Sequence, residues 1–148
     1  MTANVLRSAQ HIKGISPEDF LSLPKFSKLV KHYNYDFELE QIDRKHLSAY
    51  CRFMGLTGFG TRKMLQSRLN KHFDYLIQDD RLISNEGLES LTLAELQQAN
   101  EERGMRSLDR DEDQLRQSLK YWFAIQSVEP TRGMLVFSRM FLLNAKYN

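Results

Sequence analysis

The stretch of residues 43–73, DRKHLSAYCRFMGLTGFGTRKMLQSRLNKHF, decides the fold of this chain. Its first part carries apolar side chains at the i, i+3, i+4, i+7 spacing of one helical face, at Leu47, Tyr50, Cys51 and Met54. Asp43 is suited to cap this helix by accepting a backbone N–H, and Gly55 suits the left-handed position that ends it. The pattern therefore predicts a helix that directs other side chains to water, namely Lys45, Ser48, Ala49 and Arg52.

A second helix is predicted after the Gly-Phe-Gly turn. Thr61 can cap it, and its apolar stripe consists of Leu65, Leu69, Phe73 and Leu76. At about 100° per residue, Lys63, Ser67 and Lys71 fall on the opposite side. The two helices form a helix-turn-helix with an apolar seam and a basic outer side.

Cations are concentrated in this stretch, although the whole chain has a formal net charge of only +2. Between Arg44 and His72 there is no Asp or Glu. An acid-free basic surface attracts polyanions, whereas the simplest alternative is a solvated helix back. The candidate anion-binding residues are Lys45, Arg52, Arg62, Lys63, Arg68 and Lys71, with Arg103 and Arg106 from a later stretch as weaker candidates.

Length and composition predict one globular domain. At 148 residues with 41% hydrophobic content, the chain is long enough to bury a core. We expect a terminal segment over 1–15 and a domain over 16–148. The single cysteine, Cys51, lies on an apolar helix face, so it is predicted to be a core residue in a reducing compartment. The longest apolar run, 134–143, is too short for a membrane span.

The remainder of the chain favours an all-α fold. Ser16 and Pro17 are typical of a helix start, and Phe26, Leu29, Val30 and Tyr33 share one face. The second helix is predicted to end near Gln78, with a short helix from Asp79 to a point before Gly87. Thr92 and Glu95 form a capping box, and Gly104 ends the helix that follows. Further helices are predicted around Leu115–Gln126 and over 134–143.

An internal repeat is also predicted. Apolar residues and a glycine match at a constant offset, with Leu47, Tyr50, Gly55, Leu56 and Phe59 corresponding to Leu96, Ala99, Gly104, Met105 and Leu108. After one inserted residue, Leu65, Leu69 and Phe73 correspond to Leu115, Leu119 and Phe123. Two such units suggest pseudo-symmetric packing of two helix-turn-helix units.

Catalytic and metal-binding patterns are not found. The acids at 109–113 resemble a calcium loop, but Gln114 and Lys120 stand where an EF-hand needs glycine and glutamate. These acids are better explained as residues of a helix N-terminus. The four histidines lack metal-ligand spacing, and the sequence contains no phosphate loop, nucleophile elbow or pair of catalytic carboxylates. We therefore expect no enzyme activity, no cofactor and no metal.

Two resemblances bear on function. Gly55-Leu56 followed by 60–65 and Arg68-Leu69 is similar to the SAP helix-extended-helix motif, which binds DNA in other proteins. A longer resemblance covers about 16–143, and on it the chain is identified as a member of the LETM family, the leucine-zipper/EF-hand-containing transmembrane proteins of the mitochondrial inner membrane. It rests on blocks that include Phe26-Ser27-Lys28-Leu29, Asp79-Asp80-Arg81-Leu82-Ile83, Glu86-Gly87-Leu88 and Arg103-Gly104-Met105-Arg106.

The LETM resemblance implies the family's matrix-facing ribosome-binding-like domain, with a fourteen-three-three-like packing of helices. Family members are implicated in potassium/proton or calcium/proton exchange, in mitochondrial volume homeostasis and in coupling mitochondrial ribosomes to the inner membrane. The family's membrane helix precedes this domain, so we expect the chain to be a soluble fragment tethered through a segment that it lacks.

Three functional hypotheses remain open at this point. The first is a ribosome-binding module whose basic residues meet ribosomal RNA phosphate or an acidic ribosomal protein. The second is a structural part of a cation/proton exchanger that self-associates through the C-terminal apolar helix, around Met134, Phe137 and Phe141. The third is SAP-like nucleic-acid binding.

Overall fold

The computed structural model describes residues 23–144, and side chains over 23–140. This part is helical, as the sequence predicts. The helices are α1 (Leu23–Tyr33), α2 (Arg44–Phe53), α3 (Arg62–Glu86), α4 (Leu93–Glu102), α5 (Glu112–Gln126) and α6 (Arg132–Asn144). Short 3-10 turns lie at Tyr35–Phe37, Leu39–Gln41 and Leu88–Ser90. The predicted helix start at Ser16 lies outside the described residues.

The helix boundaries follow local capping signals. Asp43 accepts the backbone N–H of His46 at 2.9 Å, and Thr61 accepts that of Met64 at 3.2 Å. Thr92 and Glu95 form the predicted capping box, in which each side chain accepts the other residue's backbone N–H. Asp111 caps α5 in the same way, which confirms that its carboxylate belongs to a helix start.

Two helix pairs and the buried helix α6 build much of the core. α2 packs on α3, and α4 packs on α5. α6 also contacts α2, and its residues Met134–Met140 are all buried. The apolar stripes predicted for α2 and α3 line this core, since Leu47, Cys51, Leu65 and Leu69 are fully covered. The repeat relation between the two pairs and the fourteen-three-three-like packing stay predictions.

The structure corrects the predicted exposure of α2. Ser48 and Ala49 were expected to face water, but each is only 3% exposed. α2 has a second neighbour in α6, and the loop after α2 folds back so that the Ser48 hydroxyl donates to the carbonyl of Gly58 at 2.6 Å. The periodicity of the apolar residues identified one buried face of α2, whereas in the structure a second face is also covered, by α6 and the loop.

The predicted break in the second helix is also wrong. α3 continues for 25 residues through Asp79 and Asp80 to Glu86. Neither side chain caps a new helix, because both accept hydrogen bonds from Arg103 on the neighbouring pair. Residues 62–86 contain no glycine or proline that would end the helix before Gly87.

A buried arginine lies in α6. Arg139 is 2% exposed, and its guanidinium carbon lies 4.8 Å from the centre of the Tyr121 ring. Burial lowers the pKa of Arg139 to about 10, while the neighbouring Tyr121 acts in the opposite direction. This residue is part of the core and not of the basic surface described below.

Candidate anion-binding site

The loop between α2 and α3 is held by side chains from both helices. Arg44 Nε donates to the carbonyl of Gly60 at 2.9 Å, and Arg68 donates to the carbonyls of Thr57 and Phe59. Together with the bond from Ser48 to Gly58, these contacts fix the backbone of the loop. The side chain of Phe59 nevertheless projects outward and is 80% exposed.

Three predicted cations meet on the outer side of α3, beside this loop. Lys63, Arg68 and Lys71, with Met64 and Ser67, line a shallow open depression, which we call the basic face. The i, i+4, i+8 spacing of Lys63, Ser67 and Lys71 puts these three residues on consecutive turns of one helix side, as the sequence predicted. Lys63 and Lys71 are exposed, while Arg68 is partly covered by its contacts with the loop.

The charges of the basic face are not neutralised within the described residues. No ion pair with a carboxylate is formed there by Lys63, Arg68 or Lys71. The nearest acid along α3, Asp74, is paired with Arg132 at 2.8 Å. The face therefore keeps its positive potential, which is what attraction of a polyanion requires.

Other predicted cations lie apart from this face or serve the fold. Arg62 points to the other side of α3, where its Nε donates to the carbonyl of Ile42 at 3.0 Å. Arg52 lies against the loop, since a Cβ on Gly58 would come within 2.4 Å of its Nε. Lys45 is exposed on α2, and Arg106 is exposed after α4.

Arg103 requires a correction. It was a weaker candidate for anion binding, but its side chain is completely buried. Its guanidinium contacts Asp79 at 2.8 Å and Asp80 at 2.7 Å, and it also donates to the carbonyl of Ala99 at 2.9 Å. Arg103 is thus committed to joining α4 to α3 and is not available to an external anion.

The thiol of Cys51 lies close to the basic face but is not a nucleophile. Burial raises its pKa, and the nearby charges of Arg68 and Arg52 only partly oppose this effect. The thiol is fully covered and directed at the carbonyl of Leu65, 3.8 Å away. This supports the interpretation of Cys51 as a core residue.

Sequence reasoning missed the exposed apolar groups beside the basic face. Phe59 belongs to the predicted repeat, and Met64, which is 50% exposed, belongs to the SAP-like segment, but neither is among the predicted binding residues. Both residues fall outside the apolar stripes of α2 and α3, and this position in the sequence indicates that their side chains are exposed. An exposed ring on a fixed loop next to cations is typical of surfaces that contact nucleic acid.

The described residues contain no group of three or more His, Cys, Asp or Glu side chains that could hold a metal ion. Over the same part of the chain, no helix combines the length and apolarity needed to cross a bilayer.

Comparison with known families decides the classification. Residues 5–142 match the family described as LETM1-like, RBD. The chain belongs to this family. The LETM resemblance seen in the sequence is thereby confirmed, and the helices described above are those of a LETM1-like domain.

Two relatives place the LETM1-like domain in longer proteins. The chain is 36% identical over 132 residues to the mitochondrial proton/calcium exchanger protein of Drosophila melanogaster, covering 87% of the chain and 13% of that protein. It is 33% identical over 95 residues to the LETM1 domain-containing protein mdm28, mitochondrial, of Schizosaccharomyces pombe, covering 64% of the chain and 20% of that protein. Both relatives are named as mitochondrial, which supports a mitochondrial location for this chain.

Proposed function

We propose that this chain is the matrix-side binding domain of a mitochondrial inner-membrane LETM protein and that its basic face associates with the mitochondrial ribosome. The observation that carries the proposal is the grouping of Lys63, Arg68 and Lys71 on one side of α3 with no carboxylate partner in the described residues. Through this association the longer protein would support potassium/proton or calcium/proton exchange and mitochondrial volume homeostasis.

The contact would be mainly with phosphate. Lysine and arginine on one helix side neutralise phosphates and release counterions, which makes the affinity strongly dependent on salt. Phosphate contacts position a protein without reading sequence, so we expect little base specificity. The exposed ring of Phe59 would add a stacking contact with an unpaired base of ribosomal RNA.

Charge reversal on the basic face tests this proposal. The double variant Lys63→Glu/Lys71→Glu is expected to weaken co-sedimentation with mitochondrial ribosomes by about 10- to 100-fold at low salt, because attraction to phosphate is replaced by repulsion. Both side chains are exposed, so the helical circular dichroism signal should be unchanged.

The matched control reverses two exposed lysines on another helix. Lys28→Glu/Lys31→Glu changes the net charge by the same amount on α1 and should leave co-sedimentation close to that of the unmodified chain. An equal loss of co-sedimentation in both variants would show that only the net charge of the chain matters. Unchanged co-sedimentation of Lys63→Glu/Lys71→Glu would refute the proposal. Binding to duplex DNA as tight as binding to ribosomes would favour the SAP-like alternative instead.

The C-terminal helix is less suited to docking than the sequence indicated. Met134 and Phe137 are 2% and 1% exposed, and the side chain of Phe141 lies outside the described residues. Met134 and Phe137 therefore pack within the chain. We do not propose α6 as the surface for self-association.

A further inference from the structure

The guanidinium of Arg139 is buried with one of its edges unused. Its side chain is 2% exposed, and its Nε and Nη2 atoms are covered but have no hydrogen-bond partner among the described residues. The hydroxyl of Tyr121, whose ring lies under the guanidinium, is likewise covered and without a partner there. Because buried polar groups are nearly always hydrogen-bonded, neighbouring donors without an acceptor indicate that a further group belongs at this place.

The unused edge has the geometry that binds a carboxylate. The Nε–H and one Nη–H of an arginine point the same way and can donate two parallel hydrogen bonds to one anion. Arg103, the other buried arginine of the described residues, directs its Nε and Nη2 atoms at Asp80. Arg139 presents the same pair of atoms, but no carboxylate of the described residues forms an ion pair with it.

Arg139 remains a cation in spite of its burial. Burial lowers its pKa to about 10, which is still well above neutral pH. A buried charge without a counter-charge is strongly unfavourable, whereas a buried ion pair with good hydrogen bonds is tolerated. The group that fits this edge is therefore an anion with two acceptor oxygens.

We propose that the edge of Arg139 beside Tyr121 is a buried carboxylate-binding site, which we call the arginine site. Its occupant is Glu18 or Asp19, from the segment that precedes α1. These two residues are the only Asp or Glu of the sequence outside the described residues. They stand five and four positions before Leu23, which is a reach of about 14–18 Å of extended chain from the start of α1. α1 packs on α5, the helix that carries Tyr121.

Burial favours a side chain over a free anion as the occupant. The Nε and Nη2 atoms of Arg139 are closed off from water, so a dissolved anion has no open path to them. A carboxylate of the chain itself enters the site as the chain folds, and it avoids the loss of translational freedom that a free anion incurs. Acetate and phosphate offer the same chemistry from solution, and the experiment below separates them from a side chain.

The arginine site does not depend on ribosome binding, because it shares no residue with the basic face. A carboxylate in it would fasten the segment before α1 to α6, at the opposite end of the described chain. In a longer protein this contact would fix the direction from which the chain enters the domain. Glu18→Gln and Asp19→Asn should leave ribosome co-sedimentation unchanged, so the two proposals can fail separately.

A double-mutant cycle in the whole chain tests the arginine site. Glu18→Gln or Asp19→Asn, whichever residue is the occupant, should lower the midpoint of thermal unfolding by about 6–20 °C, because a buried guanidinium loses its counter-charge. In the background of Arg139→Met, which removes that charge, the same substitution should shift the midpoint by less than about 2 °C. Glu38→Gln is the matched control: it neutralises an exposed carboxylate and should have little effect in either background.

The Nε–H signal of Arg139 provides a second measurement that needs no unfolding. In proton–nitrogen correlation spectra this signal should exchange slowly with water in the unmodified chain, and at least about 10-fold faster in the occupant variant. Its loss in Arg139→Lys assigns it. An Nε–H that exchanges rapidly in the unmodified chain would show that no acceptor is present.

The unfolding data can also overturn the proposal. Unchanged midpoints for both Glu18→Gln and Asp19→Asn would do so, and so would equal shifts with and without Arg139, which would mean that these acids act only on a helix N-terminus. Stabilisation by Arg139→Met would show that the guanidinium has no counter-charge. Acetate or phosphate at fixed ionic strength should not raise the midpoint. A rise that follows anion concentration and is lost in Arg139→Met would assign the site to a free anion and overturn the occupant.

Discussion

Replacing Asp80 with alanine should lower the free energy of unfolding by about 3–5 kcal/mol, the usual cost of removing one partner from a buried ion pair. Asp80 Oδ1 accepts from Arg103 Nε at 3.1 Å and from Arg103 Nη2 at 2.7 Å. Its Oδ2 accepts from Trp122 Nε1 at 3.1 Å and from Gln126 Nε2 at 3.2 Å. One carboxylate thus joins α3, α4 and α5, and its loss leaves three donor groups without that partner.

Urea unfolding followed by circular dichroism measures this effect, since a domain of this size is expected to unfold in one step. Circular dichroism is preferred to fluorescence because Trp122 is itself a partner of Asp80. The matched control is Asp113→Ala, an exposed aspartate whose nearest cation, Arg116, is 3.9 Å away, and it should change stability by less than about 0.5 kcal/mol. A loss below about 1 kcal/mol for Asp80→Ala would show that this carboxylate does not join the helices.

Replacing Gly133 with alanine should cost about 3 kcal/mol, although glycine to alanine inside a helix normally stabilises by about 1 kcal/mol. A Cβ on Gly133 would lie 2.0 Å from the carbonyl oxygen of Phe37 and 2.9 Å from Cδ1 of Ile42. The first contact is with backbone, which cannot rotate away. α6 would have to move off the Tyr35–Phe37 turn and separate the Phe37 and Phe137 rings, whose centres are 4.7 Å apart.

Thermal unfolding of Gly133→Ala measures this cost against a second glycine variant. Gly55 follows α2 with φ of 79°, and a Cβ there would meet no atom within 4 Å. Gly55→Ala should therefore cost only the backbone strain of that left-handed conformation, about 1 kcal/mol. Equal or greater stability of Gly133→Ala would mean that the turn and α6 are not in direct contact.

Local signals in the sequence predicted the helices near Asp43, Thr61 and Thr92, because a cap depends on residues within one turn. The basic face was predicted for a similar reason, since 100° per residue is enough to place Lys63 and Lys71 together. These features need no knowledge of the neighbouring helices.

The errors arose where a distant residue decides the outcome. Asp79 and Asp80 look like a helix start, but Arg103 binds both, and the helix continues. The same contact removes Arg103 from the surface. Arg62 and Arg68 count as cations in the sequence, yet their hydrogen bonds to loop carbonyls could be found only with the chain folded. A count of charged residues indicates how strongly a segment attracts anions. It does not show which of the cations already donate hydrogen bonds within the fold.

The most direct test of the central claim is the salt dependence of ribosome binding. With Lys63, Lys71 and those Arg68 donors that do not bond the loop each meeting a phosphate, the logarithm of the binding constant should fall with the logarithm of salt concentration with a slope of about −2 to −3. Lys71→Gln should make that slope less steep by about one, while Lys28→Gln should leave it unchanged. A binding constant that does not change with salt, or an equal slope for Lys71→Gln and the unmodified chain, would contradict the assignment of the basic face.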